Sequence, residues 1–197
     1  NIIDFCKNKS IKEIFLASSS EVYQNAPNFP TDEKVRLIIP DPHNPRFSYS
    51  STKIISEILL LNSDHFEKVV IFRPHNIYGP DMGLKHVIPE LIMKTIDEKK
   101  FIQIQGNGKN KRSFCFIDDF VSAFNLILKK GKHKEIYNIG NVEEINIFNL
   151  SKLIIKLLRD DILNLDSNSN QFIGTVNAEN TISPCIKTLI LFSVIYM

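Results

Sequence analysis

The sequence predicts an α/β protein built on a parallel sheet. Short apolar runs of strand length alternate with longer segments whose apolar residues recur at helical spacing. Two of the runs, "IFLA" (Ile14 to Ala17) and "KVVIFRP" (Lys68 to Pro74), have the character of buried strands. The 197 residues are 43% hydrophobic and 23% charged, the proportions of a globular chain able to bury a core.

The elements follow in order. "NIIDFCKNKS" resembles the last turns of a helix and lacks the basic leader and apolar run of a signal peptide. "IFLA" is a strand that ends in small polar residues. The stretch from Gln24 to Phe47 is rich in Pro, Asn and Asp, and its "PDPHNP" cannot be helix interior. An ordered loop of that length is usually functional. "SYSSTKIISEILLLNS" places Ile54, Ile55, Ile58, Leu59 and Leu61 at helical spacing, with Ser48 as a candidate cap. "KVVIFRP" is stopped by Pro74, and the turn "YGPDMG" follows. "HVIPELIMKTIDEKK" (His86 to Lys100) is an amphipathic helix with Pro89 in an early turn, where proline is tolerated. "FIQIQ" alternates as a strand does, and "GNGK" makes a hairpin turn. "SFCF" is a short strand with Cys115 in the core. Asp118 or Asp119 is expected to cap the helix "DDFVSAFNLILKK". "EIYNIG" is a further strand, and "NIFNLSKLIIKLL" a helix with Asn146 as candidate cap. After Arg159 the pattern degrades. The apolar run Thr188 to Met197 is far shorter than the roughly 20 residues that span a bilayer.

Charge and cysteine usage narrow the function. Lys plus Arg is 24 and Asp plus Glu is 22, a net charge of +2. That balance argues against nucleic acid or an anionic membrane as the main partner. Cys6, Cys115 and Cys185 form no CxxC pair, and the five histidines form no HExxH, so no metal site is expected. Few, scattered cysteines suit a reducing, cytoplasmic setting.

Three local patterns carry chemistry. "SSSEVY" (Ser18 to Tyr23) ends the first strand. Tyr49 and Lys53 are spaced Y-x-x-x-K on the following helix. "RPHNIYGP" (Arg73 to Pro80) ends the next strand. A Tyr and a Lys four apart share a helix face. A neighbouring ammonium favours phenolate over phenol, which suits the phenol to accept a proton from an alcohol. A serine at the end of the adjacent strand can hydrogen-bond the same oxygen as charge develops.

In that order the three patterns resemble the extended short-chain dehydrogenase/reductases, and among them the NAD-dependent nucleotide-sugar epimerases and dehydratases. The resemblance runs from about Ser10 to Leu158. It implies a Rossmann-like, doubly wound parallel sheet, NAD as cofactor and a nucleoside-diphosphate sugar as substrate. It implies Ser19 as the catalytic serine, with Ser20 and Glu21 beside it, Tyr49 as base, and Lys53 as its partner. Tyr49 and Lys53 would also touch the cofactor, and Pro74 and His75 would border the nicotinamide. Asn76 and Arg112 would meet the substrate diphosphate, to which a guanidinium fork is suited. Each has a plainer alternative. Glu21 could be a solvated loop carboxylate, Asn76 a turn residue, Arg112 a surface charge in "KNKR", and His75 a packed strand-end histidine. The resemblance also implies a homodimer through a helix bundle using Ile54, Ile58 and Leu61. Core packing accounts for those residues equally well.

The glycine-rich fingerprint of a dinucleotide-binding turn does not occur among the seven glycines. The expectation is a fragment lacking the N-terminal half of the sheet, so that the NAD-dependent epimerase/dehydratase activity belongs to a longer parent protein and is left open for this stretch alone. Residues 1–80 would be the later part of the NAD-binding domain. Residues 81–160 would be a substrate-binding region with returning Rossmann elements, and 161–197 an atypical tail. A non-catalytic nucleotide-sugar-binding module on the same scaffold is the alternative function. The resemblance leaves epimerisation, dehydration and decarboxylation open after the oxidation. The Ser20-Glu21 pair, similar to that of the family's sugar-acid decarboxylases and GDP-mannose dehydratases, favours a reaction beyond 4-epimerisation, with Glu21 as a working acid/base. A serine at position 20 cannot protonate a leaving hydroxyl as a carboxylic acid would.

Overall fold

The computed structural model describes residues 2–24, 26–97, 102–104 and 106–163, with side chains described as far as Leu158. The run Thr188 to Met197, Cys185 and the tail beyond residue 163 lie outside the described residues. In chain order the elements are α1 (Ile2–Asn8), β1 (Glu13–Ala17), 3-10 turns at Ser20–Tyr23 and Pro45–Phe47, α2 (Ser48–Leu61), β2 (Lys68–Pro74), β3 (Ile77–Tyr78), α3 (Val87–Asp97), β4 (Lys111–Ser113), β5 (Cys115–Phe116), α4 (Ile117–Lys130), β6 (Glu135–Ile139), β7 (Glu144–Asn146) and α5 (Ile147–Leu163). The described residues fall into two compact units, those up to 77 with 113–143, and those of 78–112 with 144 onward.

The first unit holds a parallel sheet in the order β1-β2-β6. Ala17 stands opposite Phe72, and Phe72 opposite Tyr137. The central strand β2 is buried on both faces, which is why it is a nearly continuous apolar run. Val69 and Ile71 pack with Cys6, Leu60 and Phe66 on one face. Val70 and Phe72 pack with Cys115, Ile127 and Ile139 on the other, where Phe120 and Phe124 of α4 close the layer. Helices thus cover both faces, as the pattern predicts for an α/β protein.

The loop after the first 3-10 turn is anchored by Val35 and Leu37, which pack on a third buried group, Val22, Tyr23 and Ile54. Ile54 is therefore core and cannot supply a partner-facing surface. Ile55, Ile58 and Leu59 on the same helix are about half exposed.

In the second unit α3 packs on α5. Ile88, Leu91 and Ile92 of α3, and Leu150, Ile154 and Leu158 of α5, are buried. β4 pairs with β7. No helix among the described residues is long and apolar enough to cross a membrane.

Several local expectations need correction. Ser48 is the first residue of α2 rather than its cap, because Asn44 and Pro45 already start the helical path. The Asn44 side chain accepts from Arg46 N at 3.0 Å, and Ser48 Oγ donates to Pro45 O at 2.8 Å. Asp118 and Asp119 lie inside the first turn of α4, where their charge suits the helix dipole, but neither makes a capping bond. Asn146 does cap α5, accepting from Asn149 N at 2.7 Å. Residues 102–104 of "FIQIQ" form no strand. Without that strand the "GNGK" turn closes no hairpin, although Gly106 and Gly108 hold φ of 70° and 68° as a tight turn requires. Gly108 O and Asn110 O instead accept from Phe148 N and Ile147 N, seating the loop on the start of α5.

Candidate functional site

The carboxyl end of β1 sets the first part of the site. Ser18 N continues the sheet by donating to Phe72 O at 2.8 Å. Ser19 is extended, with φ −159°, and its Oγ accepts from Glu21 N at 3.1 Å, capping the 3-10 turn. That bond uses an acceptor lone pair and leaves the hydroxyl O–H as a donor. Ser20 is half-buried, and the Glu21 side chain is exposed. Gln24 ties this turn to α2: its Nε2 donates to Glu21 O and to Ser50 Oγ, both at 2.7 Å.

On α2, Tyr49, Lys53 and Glu57 recur at four-residue steps and share one face. Lys53 Nζ donates to Ala17 O at 2.8 Å and lies 5.7 Å from the Tyr49 ring centroid. This bond docks the Tyr-Lys face at the carboxyl end of β1, two residues before Ser19. Tyr49 itself is 54% exposed, so its phenol is open to a ligand.

Beneath this face lies a buried polar cluster. Glu57 and Arg73 are each about 2% exposed. Arg73 Nε and Nη2 donate to the two Glu57 carboxylate oxygens at 2.9 and 2.6 Å. Ser18 Oγ also donates to Glu57 Oε1. Arg73 Nη1 donates to Tyr23 OH at 2.7 Å and to Glu33 O at 3.2 Å. Burial alone would lower the Arg73 pKa. The bonds to Glu57 and Tyr23 and the Glu57 charge outweigh it and hold the pKa above the ordinary value, so the guanidinium stays charged.

The cluster continues to the end of β2. Tyr23 OH donates to Asn138 Oδ1 at 2.7 Å, and His75 Nε2 lies 3.2 Å from the same oxygen. The Asn138 amide donates to Thr31 O at 3.1 Å, so its oxygen is the atom turned to His75. His75 therefore carries its proton on Nε2 and keeps Nδ1 as an acceptor. Burial pushes its pKa below the ordinary imidazole value, against the pull of Asn138 and Glu33. Pro74 closes β2. Asn76, at φ 39°, turns the chain; its Nδ2 donates to Ser113 O at 2.9 Å and its carbonyl accepts from Cys115 N at 3.2 Å. One N–H of that amide is left over.

Arg112 belongs to the second unit. It is exposed, and it lines a pocket with Asn110, Lys94, Glu90 and the apolar Val87, Leu91, Ile104 and Ile147. Lys94 is engaged by Glu90 at 2.7 Å and by Gln103 O at 3.1 Å. Among the described residues no carboxylate pairs with Arg112.

The first unit thus carries Ser19, Ser20, Glu21, Tyr49, Lys53, Pro74, His75 and Asn76 on three elements joined at one end of the sheet, while Arg112 lines a pocket of its own unit. Sequence reasoning missed Ser18, Tyr23, Glu57, Arg73 and Asn138. Glu57 had a signal, since it extends the Tyr-Lys spacing by one more turn. Arg73 had another, as a charge inside an apolar strand. Nothing local marked Tyr23 or Asn138.

Comparison with known proteins points one way. The family model described as the NAD dependent epimerase/dehydratase family matches residues 1–140. The dTDP-D-glucose 4,6-dehydratase of Dictyostelium discoideum is 36% identical over 169 residues, covering 79% of this chain and 37% of that protein. Its Homo sapiens counterpart is 32% identical over 175 residues, covering 87% of this chain and 47% of that protein. The chain therefore spans under half the length of these curated relatives. A crystal structure of dTDP-glucose 4,6-dehydratase from Bacillus anthracis, solved in complex with NAD, superposes with a TM-score of 0.76 at 20% identity, over 99% of this chain and 66% of that one. The likeness shows a Rossmann-like α/β fold.

Proposed function

The chain belongs to the NAD-dependent epimerase/dehydratase family, and from that premise we propose that it serves a protein acting on a nucleoside-diphosphate hexose by oxidising a carbinol carbon, eliminating water and returning the hydride to the sugar. The observation that carries the proposal is the Lys53–Ala17 bond, which sets the Tyr49 phenol and the Lys53 ammonium at the end of the strand that leads into Ser19.

NAD, when bound, supplies the hydride acceptor for such an oxidation. The donor set fits its nicotinamide-ribose end. Lys53 spends one N–H on Ala17 O and has two left for ribose hydroxyls. Pro74 and His75 border the same end of the sheet, and His75 Nδ1 remains free to accept. On the substrate side Tyr49 takes the proton of the reacting hydroxyl. The Ser19 hydroxyl donates to the same substrate oxygen. Asn76 has a spare amide proton for a phosphate oxygen, and in the other unit the Arg112 guanidinium is by its chemistry a diphosphate-binding group. Glu21, exposed on the turn that Ser19 caps, acts as acid/base on the ring hydrogen and leaving hydroxyl. The relatives named as dehydratases support this choice over simple 4-epimerisation.

The test is product analysis on a full-length protein carrying these residues, with NAD and dTDP-glucose or UDP-glucose. Tyr49→Phe should lower turnover by on the order of 10² or more with substrate binding little changed. Glu21→Gln should block water loss. Wild-type turnover in Tyr49→Phe removes Tyr49 from its role, and wild-type turnover in Glu21→Gln makes Glu21 a bystander. Sugar-nucleotide binding with no turnover and no dependence on NAD leaves a non-catalytic binding module.

A further inference from the structure

We infer that the buried Glu57–Arg73 pair is a positioning device, which fixes the register of α2 against the ends of β1 and β2 and so sets where Tyr49 and Lys53 stand relative to Ser19 and His75. The inference deepens the proposed function and rests on it for the roles of those four residues.

The placement of the pair carries the argument. Three elements hold the candidate residues of the first unit, and all three meet at this pair. Glu57 lies on α2, two turns beyond Tyr49 and one beyond Lys53. Ser18, bonded to Glu57, is the residue before Ser19. Arg73 immediately precedes Pro74 and His75, and it also binds Tyr23 of the turn that Ser19 caps. A shift of α2 along its axis would break the bidentate contact at 2.9 and 2.6 Å and the Ser18 contact together.

The energetics point to the same role. Removing two charges from water is costly, and well-packed apolar side chains at such a place are often as stable or more so. Val22, Tyr23 and Ile54 already offer apolar neighbours nearby. Stability alone therefore does not call for an ion pair here. Apolar surfaces can slide by a fraction of an ångström at small cost, whereas a guanidinium fork holds one geometry. Among the described residues no buried side-chain nitrogen or oxygen lacks a partner, so the cluster is fully committed to one arrangement.

The experiment compares the full-length protein with a Glu57→Met, Arg73→Met double variant and with Arg73→Lys, which keeps the charge but loses the fork. Thermal unfolding reports stability, and backbone amide spectra report position. The expected result is a folded double variant in which the amide signals of Ser19, Lys53 and His75 move while those of Ile127 and Leu128 stay. Turnover should fall on the order of 10²-fold with KM changed by less than about two-fold, as for a misplaced catalytic group. Arg73→Lys should move the same signals, so the inference stays open to refutation if the double variant does not fold. Unmoved signals in folded variants, with only the melting temperature altered, would overturn it. Absence of turnover in the wild-type full-length protein would count against the proposed function, and the amide shifts would still decide the positioning role.

Discussion

Adding one methyl group at Gly140 tests the packing that holds His75. Gly140 follows β6, and a Cβ placed on it would fall 2.9 Å from His75 Cβ and 3.2 Å from His75 Cγ. Carbon atoms settle at about 3.5–4.0 Å, so the overlap is at least ~0.6 Å. The first atom met is a Cβ fixed to its backbone, so no side-chain rotation relieves the clash. The ends of β2 and β6 must separate, and they are joined there by the His75 N–Ile139 O bond at 2.8 Å and the His75–Asn138 contact at 3.2 Å. Overpacking of this kind costs about 1–3 kcal/mol. A weakened hydrogen bond adds about 1 kcal/mol. The lower unfolded-state entropy of alanine returns roughly 0.4–1 kcal/mol. The net loss of about 1–3 kcal/mol corresponds to a melting temperature lower by roughly 2–12 °C for a chain of this size. Gly83→Ala is the control. Its nearest atom, His86 Cδ2, is 3.5 Å away, an ordinary contact, and stability should hold or rise slightly. Calorimetry with ring-proton spectra of His75 is the assay. A Gly140→Ala melting temperature within about 1 °C of wild type, with the His75 signals unmoved, would refute the reasoning.

Two further outcomes are expected. His75 has a folded-state pKa lowered by burial, so its contribution to stability is present above the unfolded value near 6.5 and is lost as pH falls through the lower folded value. His75→Gln should accordingly flatten the loss of stability between about pH 7 and 5, read as denaturant midpoints, and an unchanged slope would show that His75 does not carry it. Arg112→Ala should weaken binding of a nucleoside-diphosphate sugar by about 10- to 100-fold, the worth of a charge-assisted pair. Because Arg112 is exposed, melting should move little. Equal affinity in titration calorimetry would leave Arg112 as a surface charge.

How far the sequence was legible depended on whether a feature is local. β2 was legible from Lys68 to Pro74 because burial on both faces demands an unbroken apolar run and proline ends it. "FIQIQ" was misread for an instructive reason. Ile102 and Ile104 are indeed half-buried and Gln103 exposed, but the alternation seats an irregular segment whose Gln103 carbonyl is taken by Lys94. Period two reports which side faces the interior, and a strand also needs a partner, which the pattern does not name. The site divides the same way. Tyr49 and Lys53 were legible because four-residue spacing makes neighbours on any helix. Asn138 was not, since Glu33, which accepts from its backbone N–H, is 105 residues away and only the topology brings them together. Glu57 and Arg73 fall between these cases. A guanidinium near the end of a buried, largely apolar strand cannot be buried unpaired. Once β2 is placed beside β1, the helix that leads into β2 is the nearest source of a carboxylate. On that helix Glu57 is the acidic residue in step with Tyr49 and Lys53. The charge that interrupts the strand thus predicts a buried partner, and the spacing of the helix identifies it.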